Sequence, residues 1–368
     1  MKYFPRKLNF KAIYLLLIAI LISLIGCREN PTEPVISSPS IISELHVEGK
    51  FIKTLNGTAV RLAGVNIPSL EWSNQGEHIS QSIQVAVKEW NADVIRFPVC
   101  QDRWFGKADG QSDSGKSYKT IVEMAINQTI NLGAYAVIDL HWSDAGIWGS
   151  YLGQHKMPDQ NSLIFWKDFA KKYSNNPGVL FDLYNEPHDV DWNIWKSGGE
   201  VSEIINGNNI SYNSIGLQNL IDSIRSEGAR NLVIINGLDW GYDLSGVLKG
   251  YELSDPNGNG IIYGSHIYPW KGSDFITWDL HAGLISNYHP VYIGEVGCQP
   301  DPYQADPNIW AQEIIQYINS RNLSWTAWSF HPSAYPCLIS DWNYTPTSYW
   351  GIFVKNALSN SKKDNILF

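Results

Sequence analysis

The chain has 368 residues, 44% of them hydrophobic and 17% charged, so it can bury the core of one large domain and is not disordered throughout. Its formal net charge is −9; residues 1–26 hold Lys2, Arg6, Lys7 and Lys11 and no acid, so without those four positive charges the remainder stands at −13. That balance excludes a nucleic-acid partner, which requires a basic surface to displace counterions, and the 16 Trp and 19 Tyr point elsewhere.

The first element is a basic start followed by the apolar run AIYLLLIAILISLIG, Ala12 to Gly26, with the layout of an export signal. The run is shorter than the roughly 20 residues that span a bilayer. Its end, Leu24-Ile25-Gly26-Cys27, resembles a bacterial lipoprotein processing box. That resemblance implies that residues 1–26 are removed and that acyl chains on Cys27 anchor a soluble domain to a membrane surface. Arg28 is not the Asp associated with inner-membrane retention, so the outer membrane or cell surface is the expected place, with plain secretion the alternative. Residues 27–44 include RENPTEPVISSPS, a Pro- and Ser-rich tether. A single folded domain is expected over 45–368.

Within that domain, ELHVEGKFIKTLNGTAV carries an Asn-Gly turn between extended flanks and predicts a hairpin closing one end of the fold. Eight apolar runs follow: RLAGVN (61–66), ADVIRFPV (92–99), YAVIDLHW (135–142), VLFDLYNE (179–186), LVIING (232–237), IIYGSHIY (261–268), VYIGEVG (291–297) and SWTAWSF (324–330). Their near-continuous hydrophobicity is what parallel strands covered on both faces require. Between them lie amphipathic helical patterns such as SIQVAVKEWN, YKTIVEMAINQTINLG, SLIFWKDFAKKYSNN, SIGLQNLIDSIRSEG and WAQEIIQYINSRN, with Gly133 and Gly228 placed as helix stops. Strand–helix alternation without an internal linker predicts an α/β fold, a (β/α)8 TIM barrel with an N-terminal β-hairpin. A doubly wound sheet is the alternative, disfavoured because no glycine-rich phosphate loop follows the first strand. Three cysteines remain beyond Cys27. They build no disulfide framework and no zinc spacing, and any single bridge would pair Cys298 with Cys337, which both follow late strands.

In a barrel of this kind the polar groups at the C-terminal strand ends converge on one mouth. Those ends supply Arg96 on the second strand, His141 on the third, Asn185 and Glu186 on the fourth, Trp240 after the fifth, His266 and Tyr268 on the sixth, Glu295 on the seventh and Trp328 on the eighth. Asp139 and Asp182 lie before the strand ends and read as supporting groups inside the barrel. Glu186, a carboxylate closing the apolar run that starts at Val179, is costly to bury without a purpose. Two glutamates facing one another across a mouth suit glycoside cleavage, where one carboxyl donates a proton and the other stays ionised. Arg96 would keep one of them charged, and a drier setting would keep the other neutral.

From about Leu45 to about Leu358 the chain resembles glycoside hydrolase family 5. The resemblance is carried by Asn185-Glu186-Pro187, Glu295 in IGEVG, Arg96, the pair His141-Trp142, His266-x-Tyr268 and Trp328. It implies that Glu186 is the acid/base, Glu295 the nucleophile, and Asn185 the partner of the sugar 2-hydroxyl. Tyr268 and Arg96 would orient Glu295, His141 and His266 would line the subsite around the cleaved bond, and Trp328 would be its floor. It also implies a retaining mechanism, with carboxyl groups about 5 to 5.5 Å apart. No cofactor and no metal are expected.

Trp90, Trp166 and Trp310 fall in helical patterns and read as core. Trp72, Trp104, Trp142, Trp148, Trp240 and Trp270 fall at or after strand ends, where flat aromatic faces suit pyranose rings. Long loops after several strands, such as SDAGIWGSYLGQHKMPDQN, favour a cleft for an extended chain. The reading is a lipid-anchored, monomeric endo-β-1,4-glycanase acting on a β-glucan such as cellulose or mixed-linkage glucan. Mannan is the alternative substrate, and a noncatalytic carbohydrate-binding lipoprotein the remote alternative.

Overall fold

The structure, a computed structural model, describes residues 42–364. The export signal, Cys27 and all but the end of the tether lie outside the described residues. The chain opens with β1 (Leu45–Glu48), β2 (Phe51–Thr54) and β3 (Ala59–Val60), continues through β4 (Ala63–Asn66), β5 (Val94–Cys100), β6 (Tyr135–Trp142) and β7 (Val179–Asp182), then β8 (Gly198–Ile205) and β9 (Asn208–Ile215), and ends with β10 (Val233–Asn236), β11 (Ile261–Ile267), β12 (Val291–Val296) and β13 (Ser324–Ala327).

All eight predicted parallel strands are present, and they close in the order β10-β11-β12-β13-β4-β5-β6-β7, with β7 pairing back to β10. This is the (β/α)8 barrel. The run predicted as 179–186 leaves the regular ladder after Asp182, yet its backbone stays tied to both neighbours, Leu183 N donating to Ile234 O at 3.1 Å and Asn185 N to Leu140 O at 3.0 Å. That continuity carries Asn185 and Glu186 to the mouth in a defined direction.

The helices Ile79–Lys88, Lys116–Asn131, Gln160–Tyr173, Leu217–Ser226 and Pro307–Ser320 stand where the amphipathic patterns placed them. Gly133 and Gly228 take φ of 86° and 83° just past two of these helices, the left-handed conformation a side chain resists. Trp90, Trp166 and Trp310 are fully buried as expected, Trp166 and Trp310 within helices and Trp90 two residues past the helix Ile79–Lys88.

The N-terminal segment forms three antiparallel strands rather than one hairpin, because two tight turns occur: Glu48 pairs with Phe51 across Gly49-Lys50, and Asn56-Gly57 turns β2 into β3. Leu45 and Ile52 from this sheet pack with Leu62, Val94, Val137, Leu180, Leu232, Ile262 and Tyr292 at the strand starts, so the sheet plugs the end of the barrel away from the site. A second hairpin, β8–β9, inserts after strand four and went unpredicted, although Asn206-Gly207 at its turn is the same signal that marks β2–β3.

Two further expectations need correction. Cys298 and Cys337 are not bridged; both are free and buried, and Cys298 Sγ lies 3.4 Å from the carbonyl of Pro307. Following late strands in sequence therefore did not place them as a pair. Trp104 does not line the mouth. It is fully buried against Phe165 and Phe169, with Nε1 donating to Asp168, because the short helix Gln101–Trp104 turns its ring back onto the helix Gln160–Tyr173.

Candidate active site

The barrel interior turns polar toward the C-terminal strand ends, and one buried cation organises it. Arg96, midway along β5, is inaccessible to solvent. Its Nε donates to Asp182 Oδ2 at 2.8 Å, its Nη1 to Glu295 Oε1 at 2.9 Å and Asn66 Oδ1 at 3.0 Å, and its Nη2 to Asn185 Oδ1 at 2.8 Å, with Asp139 Oδ2 3.1 Å away. Every face of the guanidinium fork is thus used, which is how a buried charge is tolerated. Burial pulls the Arg96 pKa down, but Asp139, Asp182 and Glu295 more than offset this and hold it well above its usual value. Arg96 is thus at once the ion-pair partner of Asp139 and Asp182 and a partner of Glu295.

From this cation the orientations of the other groups follow. Since Asn185 Oδ1 accepts from Arg96, its Nδ2 must face outward, where it approaches His141 Nε2 at 3.4 Å. His141 Nδ1 lies 2.6 Å from Asp139 Oδ2, and burial lowers the His141 pKa to about 4, so the neutral ring donates from Nδ1 and keeps a lone pair on Nε2. The Asn185 amide proton is then shared between that lone pair and anything placed above it.

Glu295, at the end of β12, receives two donors. Arg96 holds Oε1, and the Tyr268 hydroxyl donates to Oε2 at 2.6 Å. Burial raises the Tyr268 phenol well above its ordinary pKa, so it remains a donor at any working pH. Glu186 is treated differently. Among the described residues no arginine touches it, and burial raises its pKa to about 7, opposed by the charges of Arg96 and Lys271 and a hydrogen bond from Gln154. His266 Nδ1 lies 3.0 Å from Glu186 Oε1 and 3.8 Å from Glu295 Oε2, and burial takes its pKa to about 3. A neutral imidazole therefore sits between the two acids. Gly294 is required there, because a Cβ on it would stand 2.9 Å from His266 Nε2.

One oxygen of Glu186, one of Glu295 and a nitrogen of His266 lie within 4.8 Å of one another. Among the described residues these are the His, Cys, Asp or Glu side chains whose donor atoms converge enough to hold a metal ion. A cation there would have to share Glu295 with Arg96. Trp328 closes the site from just after β13, its ring nearly parallel to His141 at 5.6 Å. Trp142 is half-buried beside His141, and Trp240 and Trp270 stand exposed at the rim. Trp72 is half-buried, Nε1 donating to Glu77, and Trp148 packs edge-on against Phe105.

Three groups escaped the sequence reading. Asn66 ends β4 and buttresses Arg96 while donating to Gly294 O at 2.9 Å, and the rule used for the other strand ends identifies it once applied to the first strand. Gln154 reaches His141 and Glu186 from the middle of a long loop, and no local pattern marks it. Glu71 is a buried carboxyl whose pKa burial raises well above normal, in the loop after β4.

With this geometry in hand, comparison with known proteins is decisive for the family. The family model Cellulase (glycosyl hydrolase family 5) matches residues 54–334. The chain belongs to glycosyl hydrolase family 5. It is a glycoside hydrolase. Similar proteins include an endoglucanase of Paenibacillus polymyxa, 24% identical over 348 residues, covering 82% of this chain and 84% of that one. Endoglucanase MaCel5A of Microbulbifer sp. (strain ALW1) is 23% identical over 78% of this chain, which spans about half (51%) of that protein's length. Among solved structures, the β-glucanase SdGluc5_26A from Saccharophagus degradans, known in complex with cellotetraose, superposes with a TM-score of 0.69 at 23% identity. It covers 87% of this chain and 94% of its own, a likeness that shows the shared barrel.

Proposed function

We propose that the protein is a retaining endo-β-1,4-glucanase in which Glu186 is the acid/base and Glu295 the nucleophile. The observation that carries this reading is the pair of acids itself: carboxylate oxygens within 4.8 Å, one held by two donors and the other with its pKa pushed up to about 7. A separation this short leaves no room for a water between carboxyl and sugar, which favours double displacement over inversion.

In the first step Glu295, held as an acceptor by Arg96 and Tyr268, attacks the anomeric carbon while protonated Glu186 gives its proton to the leaving oxygen. The glycosidic C–O bond breaks and a glycosyl ester forms on Glu295. In the second step Glu186, now a carboxylate, takes a proton from water, and that water displaces Glu295 with a second inversion, so the configuration is retained. Asn185 Nδ2, aimed by Arg96, is placed to bind the 2-hydroxyl beside the reacting carbon, and Trp328 to carry the ring. The endoglucanase names of the relatives favour a β-glucan over mannan as substrate.

Hydrolysis of β-1,4-gluco-oligosaccharides followed by proton NMR tests the mechanism: the β-anomer must appear first, and initial α-anomer would refute it. A panel of cellulose derivatives, mixed-linkage glucan and mannan tests the substrate. Viscosity falling faster than reducing ends rise identifies internal cleavage. Activity confined to mannan would overturn the glucan assignment.

The export signal and the box ending at Cys27 support a further part of the reading, that the domain works as a monomer at the outer membrane or cell surface on a lipid anchor. Cys27→Ala is then expected to move activity from the membrane fraction to the soluble fraction, and retention in the membrane would refute the anchor.

A further inference from the structure

Two exposed tryptophans stand in loops tied to the acids, and each has one face covered by a stacked ring. Trp240 is 38% exposed, its indole stacked on the His188 ring at 3.5 Å and 9°. Trp270 is 54% exposed, stacked on Tyr268 at 4.5 Å and 5°. In both, the free face is flat and apolar, the surface a pyranose ring fits. Their supports reach the chemistry directly, since Tyr268 donates to Glu295 and the backbone N of Trp240 donates to the carbonyl of Pro187, the residue after Glu186.

The loop that carries Trp240 is strained. Asp239 and Trp240 have φ of 56° and 60°, a left-handed conformation that bulky residues avoid and that persists only where neighbours enforce it. One enforcing group comes from the other loop. Lys271, next to Trp270, donates through Nζ to Asp239 O at 2.9 Å and to Asp239 Oδ1 at 2.7 Å. Asp239 is more than half exposed, and a surface pair of this kind contributes little to stability. Its consequence is positional.

We infer that Lys271 is a positioning residue: its ion pair with Asp239 clips together the loops bearing Trp240 and Trp270, setting them as two walls for sugar units on the leaving-group side of the scissile bond. The side follows from Glu186. A proton donor stands by the leaving oxygen; the Trp240 loop is bonded to Pro187, the residue after Glu186, and the Lys271 charge is near enough to lower the Glu186 pKa. The inference rests on the reading of Glu186 as proton donor.

The test uses Lys271→Met, Lys271→Arg and Asp239→Asn with two substrates. Cellohexaose places sugar units on both sides of the bond, whereas 2,4-dinitrophenyl β-cellobioside places them on one side only and has a leaving group that needs little protonation. Lys271→Met and Asp239→Asn are expected to raise KM for cellohexaose about tenfold, with a several-fold smaller effect on the aryl glycoside, and Lys271→Arg to restore most of the loss. Lys271→Met should also move the alkaline limb of the cellohexaose pH profile upward, because a charge that lowers the Glu186 pKa has gone. Equal losses on the two substrates, or unchanged KM for cellohexaose, would overturn the clip. Glu186→Ala separates the underlying reading: a retained kcat/KM for the aryl glycoside with a burst of dinitrophenolate, since only the second step then lacks its base, together with a lost kcat/KM for cellohexaose upholds it, and equal loss of kcat/KM on both refutes it whatever the clip variants do.

Discussion

Nδ1 of His266 lies 3.0 Å from Oε1 of Glu186, and burial keeps that imidazole neutral, with a pKa near 3. Glu186 therefore has a hydrogen-bond partner but, among the described residues, no cation in contact with it, while Glu295, under 5 Å away, has Arg96. Two identical side chains thus sit in different settings, the guanidinium bonding one and not the other.

The pH dependence follows from the Glu186 value of about 7. Activity on glucan should fall as pH rises through about 7, where the donor loses its proton. The folded pKa stands above the model-peptide value of 4.5, so between those values the folded enzyme binds more protons than the unfolded chain and stability declines with rising pH. Glu186→Gln removes this cost. At about pH 8 the variant should lose turnover by several orders of magnitude yet gain up to about 3 kcal/mol of stability, measured by denaturant unfolding. An unchanged or lower stability at that pH would show that the Glu186 proton is not held by burial.

Tyr268→Phe deletes the donor to Glu295 Oε2 and leaves the ring in place. A hydrogen bond to a charged group contributes about 1.5–3 kcal/mol, so kcat should drop by roughly 10- to 100-fold, with the thermal midpoint little changed. A kcat within a factor of two of the parent would remove Tyr268 from the mechanism.

Arg96→Met should be severe in a different way. It strands Asp139, Asp182 and Glu295 in a dry interior without their shared cation. Removing one partner of a buried ion pair costs about 3–5 kcal/mol, so the variant should be both inactive and much less stable, where Tyr268→Phe is only slow. Urea unfolding distinguishes the two.

Trp104→Ala tests the reassignment of that ring from cleft to core. A buried Trp replaced by Ala costs about 3–5 kcal/mol, and KM for β-glucan should stay near the parent value in whatever fraction folds. A raised KM at unchanged stability would restore Trp104 to the cleft.

Cys100, Cys298 and Cys337 should all titrate as thiols in the unfolded domain without prior reduction, and reductant should leave the melting temperature unchanged. In the native state they should react slowly, since burial raises the Cys100 thiol to about 12 and the Cys337 thiol to about 11.

What the sequence determined by itself was everything that depends on period and position. Apolar runs alternating with amphipathic helices specify a parallel barrel, and a barrel sends its strand ends to one rim, so Arg96, His141, Asn185, Glu186, His266, Tyr268, Glu295 and Trp328 were identifiable before any coordinate. The tertiary structure decided matters of direction and distance. Pattern alone did not show that Trp104 turns into the core, that Cys298 and Cys337 stay apart, or that Gln154 reaches Glu186 and Lys271 reaches Asp239 from loops. Above all, the opposite environments of the two glutamates arise from groups up to 199 residues apart in the chain, Arg96 and Glu295, meeting inside a closed barrel. Electrostatic environment is a property of three-dimensional neighbours and of exclusion of water, and neither is encoded within a window of sequence.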